Sequence, residues 1–333
     1  MSAKPSLKEV CDWWGRLPED ERMSQLNETF AIDFAFNSGK IENDSITLHD
    51  TREIFTNGRV TGFTGELRTL FEIENSKNAW SKALDMSASP SPVTLDDLLD
   101  IQRILTRGTY DERRWALGER PGTFKKHDFV VANEIGLSPS QAAPETARLI
   151  DQVAARFRRC DAPTAFSLAC YAHASLVDIH PFADGNGRTS RMLHNILLMK
   201  SGLPPLLFEE SQREAYYGAL DLFHYTRSLK AFVSLTAAEA GRTWQKAMGR
   251  ASAAPETRCA ARAHREISGG RGDIPNPAEP EEACPRKDRA RPQRPDRDRW
   301  EAHRTKRRDE AETKSHEFRR FRNNLEELPK QAP

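Results

Sequence analysis

Apolar side chains recur at helical spacing from the start of the chain to about residue 248, with Gly and Pro punctuating the runs. Ser6 and Glu9 have the spacing of a capping box ahead of Val10, Cys11, Trp13, Trp14 and Leu17, so a first helix begins there. Pro18 opens a second, with Asp20 and Glu21 at its positive end. Met23, Leu26, Phe30, Ile32, Phe34 and Phe36 carry that helix to about residue 36, and the segment 37–43, NSGKIEN, follows directly. Helical patterns also cover 45–57 and 64–84. The SASPSPV stretch of 87–93 reads as a linker, after which Thr94 and Asp97 cap a helix that runs to Gly108. The pattern returns at 144–159, 164–178, 188–201, 211–224 and 228–247.

Residues 109–135 differ. Pro121-Gly122 is a turn signal, and Thr123, Phe124, Phe129, Val130 and Val131 favour strand, so a short hairpin is predicted at about 120–133. The fold class expected is all-α, a helical bundle carrying one short β-hairpin.

Charge alters the picture at the C-terminal end. Residues 249–333 hold 21 Lys+Arg against 16 Asp+Glu, net +5, whereas 1–248 hold 29 against 33, net −4. That last segment contains 9 of the 20 prolines and no Val, Met or Tyr, so burial cannot offset its ordering entropy and it reads as a disordered tail. The division expected is 1–86 for N-terminal helices, 87–248 for a core domain and 249–333 for the tail. Basic runs such as 304–308 are interleaved with acids, which favours a solvated segment over nucleic-acid binding. The longest apolar run, Phe166 to Ile179, contains His173 and Asp178 and is too short to span a bilayer. Lys4, Lys8, Glu9 and Asp12 interrupt any signal-peptide pattern, and five cysteines with no C-x-x-C pair imply reduced thiols, a cytoplasmic setting and no structural zinc.

The chemistry concentrates in residues 180–191, HPFADGNGRTSR. Pro181 disfavours helix at His180, and Gly185-Asn186-Gly187 delays its resumption, so the loop feeds a new helix. A Gly-rich loop entering a helix N-terminus turns several N–H groups and the helix dipole toward one point, an anion hole. Arg188 and Arg191, three apart, can fork around a polyphosphate from one helix face. Asp184 supplies a hard oxygen suited to Mg²⁺, and His180 an imidazole able to accept a proton near neutral pH. His173, seven residues earlier on an apolar helix, reads as a hydrogen-bonded packing residue. A zinc site from His173, His180 and Asp184 lacks a further Cys or His at supporting spacing.

This string resembles the signature of the Fic family, H-P-F-x-[D/E]-G-N-G-R-x-x-R, at every specified position, and the resemblance covers roughly residues 94–235. It implies a Fic-type helical bundle and a protein adenylyltransferase that moves AMP from Mg·ATP to a Ser, Thr or Tyr hydroxyl of a protein. His180 would be the general base and Asp184 the Mg²⁺ ligand; the stretch Gly185, Asn186, Gly187, Arg188, Thr189, Ser190 and Arg191 would hold the nucleotide. The intact G-N-G favours nucleotidyl transfer over phosphorylation. Tyr216 and Tyr217 match a pair that contacts the nucleoside, and His224 falls where relatives carry Asn against the base. Phe129, Val130, Val131 and Ala132 resemble the flap on which an extended target strand docks, with Lys125 in place of the usual arginine.

Ser38-Gly39-Lys40-Ile41-Glu42-Asn43 fits the inhibitory pattern [S/T]-x-x-x-E-[G/N] of a Fic subclass in which this helix precedes the catalytic domain. By that resemblance Glu42 pairs with Arg191, and a Glu42-oriented water removing AMP is a second activity left open. Gly39 is a poor helix residue there. The alternatives are a Fic-type transferase of another phosphate-containing group, or an inactive scaffold that binds peptide strands. Oligomeric state is open, a homodimer included.

Overall fold

The computed structural model describes residues 4–253 apart from 129, 132, 133 and 159. The expected tail thus lies, from residue 254 on, outside the described residues, as do Phe129 and Ala132.

Helix α1 (Leu7–Arg16) starts at the expected capping box: the Glu9 amide donates to Ser6 Oγ at 3.3 Å and the Ser6 amide to the Glu9 carboxylate at 2.7 Å. Helix α2 (Glu19–Gln25), a π turn over Leu26–Phe30 and α3 (Ala31–Lys40) then follow without a break. The helix therefore runs through Ser38 and Gly39 and ends later than the pattern suggested. Gly39 belongs in it for a packing reason: a Cβ there would lie 2.5 Å from Ile46 Cδ1. Helix α4 (Leu48–Asn57) is capped by Thr47 and closed by Gly58 at φ 69°. After it come α5 (Leu67–Ala88) and α6 (Leu95–Leu105), the latter with its Thr94–Asp97 capping box formed.

The centre of the molecule is α9 (Ala162–Ile179), buried on nearly all sides. Around it stand α8 (Pro139–Phe157), α10 (Asn186–Lys200), α11 (Arg213–Thr226) and α12 (Lys230–Ala253). Helix α10 lies on α9 and also meets α3, α5 and α6. Trp13 and Trp14 of α1, Phe30 of the π turn, Phe34 of α3, Trp80 of α5 and Trp244 of α12 form one aromatic cluster, with adjacent centroids 5.0–6.0 Å apart. Burying several large aromatic faces, at about 1.5–3 kcal/mol each, fastens α3 to the same core as α9 and α10. Among the described residues no helix is long and apolar enough to cross a membrane.

The 109–135 region departs from expectation in detail. It opens with a short helix, α7 (Glu112–Ala116), capped by Asp111. The hairpin exists but is displaced: β1 (Val130–Val131) pairs antiparallel with β2 (Glu134–Ile135), C-terminal to Pro121-Gly122. Tertiary bonds claim the backbone of the earlier stretch. The Gly122 amide donates to Gln102 Oε1, the buried Glu119 carboxylate accepts from the amides of Lys126 and His127, and Phe124 stacks on Phe182. Helix α8 starts at Pro139, ahead of the expected residue 144, and takes Pro144 inside it. The buried faces of Ala142, Thr146 and Leu149 outweigh the missing amide hydrogen bond.

Candidate active site

Helix α9 ends at His180 in a left-handed conformation, φ 52° and ψ 59°, which costs a non-glycine residue about 1 kcal/mol. Three sets of contacts hold this bend. The Lys125 amide donates to Pro181 O at 2.9 Å and the Leu137 amide to Ile179 O at 3.0 Å, so both roots of the hairpin segment are tied to the carbonyls flanking His180. Gly136 packs so closely on Ile179 and His180 that any side chain there would collide with them. Finally, Asn186 Oδ1 accepts from the Phe182 amide at 2.9 Å, while its Nδ2 donates to Phe182 O at 2.8 Å and His180 Nε2 at 2.9 Å. His180 Nε2, as acceptor, carries no proton. Burial foremost, and then the charge of Lys125, push the imidazole down to about 3, against the opposing pull of Asp184. At neutral pH it is an unprotonated base.

The turn into α10 passes through Gly185 at φ 78°, whose amide donates to Asp184 Oδ1 at 2.7 Å. Above this N-terminus lies the Glu42 carboxylate. Glu42 Oε2 accepts from Arg188 Nε at 2.9 Å and Oε1 from Arg191 Nη2 at 2.7 Å. A Cβ on Gly187 would run into Glu42 Oε1, so only glycine permits this approach. Arg191 also donates from Nε to Ser38 Oγ at 2.9 Å, from Nη2 to Ser38 O at 2.8 Å and from Nη1 to the Tyr216 hydroxyl at 3.3 Å. Both guanidiniums are almost fully buried. Burial opposes their charge, but Asp184, Glu42 and Glu72 hold Arg188 above its usual range, and Tyr216 and Glu42 do so for Arg191.

A second ring of groups steadies the first. Glu72, buried on α5, lies 3.6 Å from Arg188 Nη1 and accepts from Arg68 Nε at 3.0 Å and Asn43 Nδ2 at 2.7 Å. Arg68 Nη2 in turn reaches Asp184 Oδ2 at 2.9 Å. Gln102 Nε2 donates to Asp184 O at 3.0 Å. Among the described residues buried Lys125 has no hydrogen-bond partner for its Nζ, and burial pushes that amine down to about 8 despite Asp128 and Glu119.

The Fic/DOC family model matches residues 92–198, which include the His180 bend and most of α10. The chain is 31% identical over 188 residues to a protein adenylyltransferase Fic of Drosophila willistoni, covering 56% of this chain and 36% of that protein. It is 25% identical over 226 residues to protein adenylyltransferase fic-1 of Caenorhabditis briggsae, covering 67% and 42%. The chain thus spans well under half the length of these curated relatives. In fold it is similar to Fic-1 (residues 134–508) from C. elegans, with TM-score 0.62 and 22% identity over 74% of this chain and 71% of that one. It is also similar to a Fic-domain-containing signaling protein from Bacteroides thetaiotaomicron, with TM-score 0.64 and 20% identity over 74% and 96%.

Within and around the matched residues the structure brings His180, Asp184, Gly185, Asn186, Gly187, Arg188 and Arg191 together with Ser38 and Glu42. Other expected site residues lie differently. Thr189 and Ser190 are fully buried, and Ser190 Oγ donates back to Asn186 O, so their side chains serve the core. The Asn186 carboxamide is spent on the loop and on His180. Tyr216 is buried, whereas Tyr217, packed edge-on against it, is partly exposed. His224 Nδ1 is bonded to Asp178, which Arg227 also grips. Val130 and Val131 form β1. Glu72, Arg68 and Gln102 carry no motif, and sequence reading missed them. The one local signal, the i,i+4 spacing of Arg68 and Glu72, is shared by many solvated helix pairs.

Proposed function

We propose that this protein is a protein adenylyltransferase using Mg·ATP, held closed by its own Glu42. The observation that carries the reading is the Glu42 carboxylate forked between Arg188 and Arg191 over Gly187: the site already binds an anion, and that anion belongs to the chain. When the segment 38–43 withdraws, the amides at the start of α10 and both guanidiniums become available to a triphosphate. The target hydroxyl loses its proton to His180 Nε2 as its oxygen bonds to the α-phosphorus. The bond from that phosphorus to the bridging oxygen breaks, and pyrophosphate leaves with the electron pair. Asp184 fits a magnesium ion that arrives with the phosphates, since Mg²⁺ keeps water and phosphate oxygens and asks for one or two carboxylates. Among the described residues no cluster of three or more His, Cys, Asp or Glu offers a separate metal cage. The bound ion would neutralise charge on the phosphates. Asp184 Oδ2 must first release Arg68, while Oδ1 is held by the Gly185 amide and Arg188.

On this reading the edge of the 130–135 hairpin takes an extended target segment by strand addition. The curated relatives named protein adenylyltransferase support the activity, and the His180 geometry supports the direction of proton transfer. Incubation with α-³²P-ATP tests it: label is expected on protein, increased by Glu42→Gly and abolished by His180→Ala. Label delivered only by γ-³²P-ATP refutes nucleotidyl transfer, and no label from either with Glu42→Gly favours the scaffold reading.

A further inference from the structure

Arg191 has four polar contacts, and three of them, Ser38 Oγ, Ser38 O and Glu42 Oε1, come from the inhibitory segment. Tyr216 is the one hydrogen-bonding partner, among the described residues, that stays with the body of the protein when that segment leaves. The orientation of the Tyr216 hydroxyl therefore decides how Arg191 is held in the open state.

A guanidinium only donates, so the Tyr216 oxygen accepts from Arg191 Nη1. The hydroxyl proton then needs an acceptor of its own. His173 Nε2 lies 2.9 Å from it. His173 is fully buried on α9, with its ring edge-on to Phe208 at 5.3 Å, Phe232 at 4.9 Å and His194 at 5.5 Å. Among the described residues its Nδ1 has no hydrogen-bond partner, so the ring carries a desolvation cost that an apolar side chain of similar size would avoid. Burial above all, with the charges of His194 and Arg191 adding to it, holds its pKa well down. The ring is neutral, and its one useful polar atom faces Tyr216.

We propose that His173 is a positioning residue for Arg191, acting through the Tyr216 hydroxyl. By taking the hydroxyl proton it turns the lone pair of the oxygen toward Arg191 Nη1 and fixes the guanidinium where an incoming γ-phosphate meets it. The relay runs Arg191 Nη1–H to Tyr216 O–H to His173 Nε2 and crosses from α10 through α11 to α9. It rests on the reading that Arg191 binds nucleotide phosphate.

The test uses the full chain carrying Glu42→Gly, with ATP and AMP affinities measured by calorimetry in the presence of magnesium. His173→Leu and Tyr216→Phe are each expected to weaken ATP about five- to tenfold, the value of one ordinary hydrogen bond, in keeping with the 3.3 Å length of the Arg191–Tyr216 contact, while AMP affinity stays within about twofold. The double variant should be no weaker than Tyr216→Phe alone, and His173→Gln, which keeps an acceptor, should recover most of the loss. Effects that multiply in the double variant, or equal losses for ATP and AMP, overturn the proposal. If the Glu42→Gly parent binds no ATP, the adenylyltransferase reading fails and the relay is judged by ¹⁵N-histidine spectra of the unmodified chain. An Nδ1–H tautomer at His173 that changes in Tyr216→Phe supports it, and a protonated Nε2 overturns it.

Discussion

Replacing Glu42 by glycine tests the proposed closing force. The carboxylate makes two charge-assisted hydrogen bonds, to Arg188 at 2.9 Å and Arg191 at 2.7 Å, and its side chain keeps 26% exposure. Hydrogen bonds to charged groups contribute about 1.5–3 kcal/mol each, and partial solvation takes the pair to the lower end of their sum, about 3 kcal/mol. Arg188 keeps Asp184 and Glu72 after the substitution, and Arg191 keeps its hydrogen bonds to Ser38 and Tyr216 while losing its one carboxylate among the described residues. A bias of about 3 kcal/mol corresponds to an open fraction below about 1%, so Glu42→Gly should raise the initial rate of α-³²P labelling at subsaturating ATP about 100-fold. Glu42→Gln, which keeps one neutral acceptor, should give an intermediate rise. The assay is single-time-point labelling across an ATP series, with circular dichroism confirming equal folding. A rise below about threefold in a folded Glu42→Gly protein that still binds ATP would refute the view that this carboxylate holds the site closed.

Gly39→Ala should lower the melting temperature and raise basal labelling. The new methyl lies 2.5 Å from Ile46 Cδ1 and costs about 1–3 kcal/mol in overpacking, more than the roughly 1 kcal/mol that helix propensity returns; a more stable, still silent protein would contradict this. Stability should also fall with acid. His173 is held well below its usual pKa by burial, then by His194 and Arg191, and His194 is pushed by burial to about 4. Below about pH 6.5 the unfolded chain takes up protons that these rings refuse, so stability is full above that pH and falls as pH drops toward 4, by up to about 1.4 kcal/mol per unit for each ring. Urea unfolding at pH 7.5 and 5.0 reads the loss, and equal midpoints would count against neutral buried rings. Lys125→Met should stabilise the fold by about 2–3 kcal/mol at pH 7, because a buried amine pushed from 10.5 to about 8 penalises the native state there. It should also raise the His180 pKa, read by ¹⁵N-histidine titration, since Lys125 is the second cause of its depression. A lower melting temperature would show that the ammonium has a stabilising partner in solution.

Much of this site was legible because its parts are local. The residues of 180–191 act through a proline, two glycines and a helix start, all of which write themselves into adjacent positions. Ser38 and Glu42 were legible as a pattern, though their contact with Arg191 spans |i−j| values of 153 and 149 and is decided by packing of α3 on the aromatic cluster. Gly39 shows where propensity misleads: what reads as a weak helix position is a close approach to Ile46. The hairpin was displaced because Gln102 and Glu119, distant or buried acceptors with no local signature, take the amides of Gly122, Lys126 and His127. His173 was read as a packing residue, and the missing signal was a hydroxyl on a helix 43 positions away.

The two main-chain bonds that root the hairpin beside His180 make a ruler of it. A guest strand lying along that edge would arrive at a set distance from the imidazole, so its residues would be sorted by place in the alignment more than by chemical identity. Sliding the guest by one residue turns every side chain to the opposite face, and a serine offered one step early would miss the base altogether.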